Sequence, residues 1–134
     1  MASQGPMSFE ALLEHLPVSV IVADREGRIT AWNRASEALF GFTAAEALGR
    51  SLDLIIPEHL RKAHWDGFDR SLASGNTKYA GKVMTTRAAH KDGRKLYVDF
   101  SFGILKDAGG AVTAVMAVGR DGTEAFLARR EKKA

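Results

Sequence analysis

The sequence predicts an α+β domain: a five-stranded antiparallel sheet with helices packed across one face and a short helix ahead of it. Three observations carry this. Two extended runs, residues 18–23 and 28–32, are joined by a four-residue turn. Three more follow at 79–89, 96–104 and 112–119, and nearly all the helical periodicity falls between the two groups. Helices inserted between the second and third strands must lie over one side of the sheet and bury its apolar side chains.

In chain order, residues 1–7 carry no periodicity and are expected to be disordered, leaving a domain over 8–124 and a basic C-terminal tail, or the start of a signalling helix, over 125–134. Ser8 suits the N-cap of a short helix through His15, with Phe9, Leu12, Leu13 and Leu16 as its apolar side, and Pro17 ends it. VSVIVA at 18–23 is β-branched and of strand length; DREG at 24–27 is a turn; the next strand ends at Trp32. Ala35, Leu39 and Phe40 mark a helix stopped by Gly41, and Thr43 with Glu46 has capping-box spacing for the next, closed by Gly49. Residues 57–75 form the long helix, with Pro57 at a first helical position and Gly75-Asn76 as the stop. Lys91-Asp92-Gly93 is a hairpin turn, because glycine supplies positive φ. Leu96, Val98, Phe100, Phe102 and Ile104 alternate with Tyr97, Asp99, Ser101 and Gly103, one inward and one outward set. A turn from Lys106 to Gly110 precedes the fifth strand, and a short polar helix ends the chain.

Composition bounds the chemistry. A chain of 134 residues holds one domain with a sizeable core. With no cysteine, disulfides, thiolate metal sites, covalent haem attachment and cysteine-adduct chromophores are excluded. The net charge is +3, and the last seven residues, ARREKKA, with four basic and one acidic, account for it. No aromatic residues interleave with those charges, so a nucleic-acid partner is not expected. No apolar run spans a bilayer and the opening lacks a basic-then-apolar signal, so the expected location is cytoplasmic, without a membrane partner. His15, His59, His64 and His90 sit on different elements and the glycines form no phosphate loop, so no catalytic site is expected.

The chain is organised around the long helix. Steps of four from Leu60 give His64, Phe68 and Leu72 on one face, while Arg61, Lys62, Asp66, Asp69 and Arg70 fall elsewhere. His64 therefore points toward the sheet. An imidazole so placed is either a core residue hydrogen-bonded through one nitrogen or a metal ligand.

The chain resembles a PAS domain over residues 9–124. The residues carrying the likeness are Leu16-Pro17, the GRITAWN run ending at Asn33, ALFGFTAAEALGRSL from Ala38 to Leu52, Ile56-Pro57-Glu58, Lys91-Asp92-Gly93 and Gly119-Arg120-Asp121. Pro57-Glu58, Arg61 and His64 further resemble the haem-binding subgroup, which includes the oxygen-sensor kinases of nitrogen-fixing bacteria and haem-regulated phosphodiesterases. That resemblance implies His64 as the proximal ligand of a non-covalent haem b. It places Met84 where the kinases carry a distal arginine, and Lys82 where the phosphodiesterases carry a ligating methionine. His-Trp-Asp-Gly at 64–67 departs from the kinases' His-Asp-Gly.

The reading expected from these residues is a sensor of a diatomic gas (O2, CO or NO) or of redox state. His64 and Met84 are the candidate metal ligands, Met116 is the alternative thioether, and Leu60, Phe68, Phe100, Phe102 and Val118 are the walls. Alternation turns Met84 and Thr86 inward and leaves Lys82 at the mouth, within reach of a propionate. Expected partners are the gas, a second copy of the chain, and an effector outside it. Two other readings remain: a flavin or small-metabolite receptor, resting on Trp32, Asn33 and Thr86, and a cofactor-free interaction module that dimerises through residues 8–15.

Overall fold

The protein is described by a computed structural model covering residues 8–79 and 81–133; the segment expected to be disordered, 1–7, lies outside the described residues. The elements are α1 (Phe9–His15), β1 (Ser19–Asp24), β2 (Ile29–Trp32), α2 (Arg34–Phe40), α3 (Ala44–Ala47), two 3-10 turns (Leu52–Ile55 and Glu58–Leu60), α4 (Arg61–Ser74), β3 (Met84–Ala89), β4 (Lys95–Lys106), β5 (Val112–Asp121) and α5 (Thr123–Lys133). The five strands form one antiparallel sheet in the order β2-β1-β5-β4-β3. The predicted class and strand count are those observed.

The helix caps follow the sequence chemistry. Ser8 accepts from the Ala11 N–H at 3.0 Å, and Thr43 and Glu46 form a complete capping box. Gly41 ends α2 in the left-handed region at φ 81°. Asn33 does most. Fully buried as the N-cap of α2, it accepts through Oδ1 from the Val20 and Ser36 N–H groups and the Ser36 hydroxyl. Its Nδ2 donates to the Leu13 and Val18 carbonyls. One side chain thereby joins α1, β1, β2 and α2.

Two boundaries differ from expectation. The long helix starts at Arg61 rather than Pro57: Leu60 offers no side-chain cap, and Glu58–Leu60 tightens into 3-10 geometry instead. Arg61 folds back to hold this joint, donating from Nε to the Ile56 carbonyl at 3.0 Å and from Nη2 to the Asp53 carbonyl at 3.3 Å. The third strand starts at Met84 rather than Tyr79, because the Lys82 N–H closes a turn onto the Tyr79 carbonyl and Gly81 takes φ 74°. At the other end, the polar helix expected to close the chain is α5, which starts at Thr123.

The core forms on one sheet face, where Ile21, Ile29, Trp32, Leu96, Val98 and Phe100 pack with Phe40, Ala47 and Ile55 from the covering segments. The β3–β4 turn is fastened to the same cover. The Lys91 N–H donates to the Phe40 carbonyl, and Lys91 Nζ pairs with Glu46, which holds that carboxyl below its ordinary value. Among the described residues no helix is long and apolar enough to cross a membrane.

Candidate functional site

The helix α4 runs across one end of the sheet, from the β1–β2 turn to the β4–β5 turn. At its start, Trp65 lies against Gly27 in the β1–β2 turn; at its end, Gly75 meets Lys106 and Val112 of the β4–β5 turn. Its apolar stripe is Leu60, His64, Phe68 and Leu72, of which Phe68 is buried and the others are half-buried. That stripe stands apart from the contiguous core: neither Phe68 nor its stripe neighbours join the cluster that α2, α3 and the 3-10 turns make with the sheet. On the sheet side, Phe102, Ile104, Val115 and Ala117 continue the inner face beyond Phe100 and are only half-buried. The helix stripe and this part of the sheet face are thus only partly covered, although Phe102 and Ala117 still pack against the core.

His64 lies in the middle of that helix stripe. Its ring touches Trp65 at 4.6 Å, edge-on at 75°, and Phe68 at 6.0 Å. Nδ1 is buried without a hydrogen-bond partner among the described residues. Burial lowers the pKa of the imidazole from its ordinary 6.5, with the Asp53 carboxylate acting in the opposite sense. The ring is therefore neutral at pH 7 with a nitrogen unused by the protein, the state in which histidine ligates metals.

Met84, Thr86 and Ala88 share the inner face of β3, in register with Phe100, Val98 and Leu96, and Met84 is half-buried at the first ladder position. Phe100 is 5% exposed and stands 5.5 Å from Phe102, whose ring also meets Tyr79 at 6.2 Å. Lys82 is exposed ahead of the strand. Val118 and Met116 lie on the outer face, contrary to expectation. They pair with Val20 and Ser101, and with Val22 and Gly103, on the opposite face from Ala117 and Phe102. Val118 cannot wall a slot on the inner face, and Met116, whose Sδ-methyl lies beside Gly103, cannot supply a ligand to it.

Trp65 and Asp53 were not singled out as site residues from the sequence. The Trp65 indole N–H donates to Asp53 Oδ1 at 2.8 Å, and Asp53 also pairs with Arg61 at 3.8 Å. The signal was present as the extra tryptophan after His64. Hollows of about 400 and 320 Å³ lie elsewhere, the first beside Pro17, Leu39 and Arg120, the second beside Arg50, Asp53 and Arg61. Neither includes His64, and neither brings together more than ordinary surface groups.

Fold and site together define a small α+β module whose long helix carries a half-buried imidazole with no hydrogen-bond partner among the described residues. A profile of the PAS fold matches residues 13–125, and the chain belongs to the PAS family. It is 38% identical over 84 residues to an uncharacterized protein of Azorhizobium caulinodans, covering 62% of this chain and 11% of that one. It is 27% identical over 93 residues to the oxygen sensor protein DosP of Escherichia coli K12, covering 69% and 12%. With the sensor protein FixL of Bradyrhizobium diazoefficiens the identity is 26% over 99 residues, covering 74% and 20%. The chain spans between about a tenth and a fifth of the length of these curated relatives. The crystal structure of a PAS domain from Colwellia psychrerythraea superposes with a TM-score of 0.74 at 17% identity, covering 86% of this chain and 94% of that one.

Proposed function

We propose that this PAS domain is a sensor that holds haem b non-covalently, with His64 as the protein ligand to iron, and responds to a diatomic gas or to redox state. The observation that carries the reading is the half-buried imidazole of His64, whose ring makes no hydrogen bond among the described residues, on a helix whose apolar stripe is not packed into the core. Such a group costs stability, and sites that cost stability are characteristically functional. The residues fit the group: a neutral imidazole, aromatic and aliphatic walls from Leu60, Phe68, Phe100 and Phe102, and no cysteine requirement. Similarity to a named oxygen sensor and to FixL supports the same reading.

Haem b, when bound, would supply an iron able to take up a diatomic gas or change its redox state. In this chain His64 would offer an imidazole nitrogen to it, Phe100 and Phe102 would exclude water, and the exposed Lys82 would offer its ammonium to a carboxylate. Met84 is the candidate second ligand. Its place at the first rung of β3, paired with Phe100, would link the site directly to the β3–β4 pair. The effector and a second copy of the chain are further parts of the proposal, the former supported by the small fraction of each relative that the chain spans. The test is addition of hemin to the purified protein: one equivalent should produce a Soret band that is lost in His64→Leu and kept in Lys82→Ala.

A further inference from the structure

Ligating imidazoles are ordinarily oriented by a hydrogen bond from their second ring nitrogen to a carboxylate, carbonyl or water. His64 departs from that pattern, since Nδ1 is buried with no partner among the described residues. Among the described residues no carboxylate or carbonyl orients the ring through Nδ1, and the contacts that face it are the aromatic rings of Trp65 and Phe68. We infer that Trp65 is the positioning residue for His64, fixing the imidazole by packing alone; the inference rests on the reading of His64 as an iron ligand. Consecutive helical residues project about 100° apart and do not ordinarily face each other. Here they do, with ring centroids 4.6 Å apart and the planes at 75°. The indole is itself fixed on three sides. Its N–H donates to Asp53 Oδ1 at 2.8 Å, and Phe68 meets it edge-on at 5.1 Å. Its six-membered ring lies over Gly27, where a Cβ would fall 2.2 Å from Cη2 and 2.4 Å from Cζ3. Gly27 is thus the floor that admits the indole, and its φ of 79° also favours glycine. The consequence is a ligand imidazole tied, through one aromatic ring, to the β1–β2 turn and to the 3-10 turn of Leu52–Ile55.

Three variants separate this from a merely structural role. Trp65→Ala leaves the imidazole free to turn about its Cβ–Cγ bond. Trp65→Phe keeps an aromatic edge without the hydrogen bond to Asp53, and Gly27→Ala displaces the indole while also straining the β1–β2 turn at φ 79°. In hemin titrations Trp65→Ala and Gly27→Ala should each bind about 10- to 100-fold more weakly, the loss typical of removing a ligand's orienting partner, with broadened low-temperature EPR lines. Trp65→Phe should recover most of the affinity and sharp lines. In the haem-free protein, an NMR cross-peak between the His64 and Trp65 rings should be present, and in Trp65→Phe it should persist from His64 to the replacement phenyl ring. If wild type shows no His64-dependent Soret band, the iron reading fails. If wild type shows the band but Trp65→Ala matches it in affinity and line width, or the ring–ring cross-peak is missing, the positioning role is overturned while the iron reading stands.

Discussion

Replacing His64 by leucine should make the haem-free protein more stable while removing its candidate ligand. A buried nitrogen without a partner costs about 1–3 kcal/mol, and His64 Nδ1 is such an atom among the described residues. Leucine fills a similar volume and keeps contact with Phe68, but gives up the edge contact with Trp65 seen at 4.6 Å, worth about 0.5–1.5 kcal/mol. The net gain is roughly 1 kcal/mol, or about 3–5 °C in Tm for a domain of this size. Urea unfolding at pH 7.5 measures it, with an unchanged m-value showing that the folded state is the same. The sign of the pH dependence follows as well. Burial lowers the folded pKa below 6.5, so the unfolded chain takes up the proton first. The stability contribution is complete above about pH 6.5 and is lost as pH falls toward the folded value; the leucine variant should lack that slope. A variant destabilised by 1 kcal/mol or more would refute the reasoning, since it would mean that the imidazole is hydrogen-bonded in solution.

Asn33→Ala should cost about 3 kcal/mol, because it strips several buried partners at once and releases α1 from its Leu13 carbonyl contact; chemical denaturation and amide exchange over residues 9–15 measure both effects. Phe126→Ala removes the stack on Tyr97, at 3.9 Å and 14°, on which an 11-residue helix depends, since helices this short are marginal alone. Amide protection should fall across 123–133 and stay unchanged in β4. Met84→Leu should change stability by less than about 1.5 kcal/mol, as volume-conserving swaps do, while altering the spectrum of the haem-loaded, reduced protein; an unchanged spectrum assigns Met84 to packing.

The sequence made the sheet legible where one face is apolar and the other polar. The alternation of β4 places Leu96, Val98 and Phe100 inside, as the structure does. It was mute on β5, where AVMAV is apolar on both faces and periodicity carries no inward signal. The parity of β5 is set by pairing: Gly119 and Ala117 face Phe100 and Phe102, and a Cβ on Gly119 would fall 2.8 Å from Phe100. Small residues are required opposite large ones, which turns Val118 and Met116 outward. The position of His64 on the apolar stripe of α4 was legible from spacing by four. The anchor of Trp65 was not, because Gly27 and Asp53 lie 38 and 12 residues away and only the folded chain brings them together.

Where a buried imidazole meets an iron centre, light absorption reports it directly. Purified protein given one equivalent of hemin, then reduced, should show a Soret band that shifts on exposure to carbon monoxide, with the band lost in His64→Leu. An identical spectrum in wild type and His64→Leu, or no spectrum beyond free hemin in either, would contradict ligation by His64.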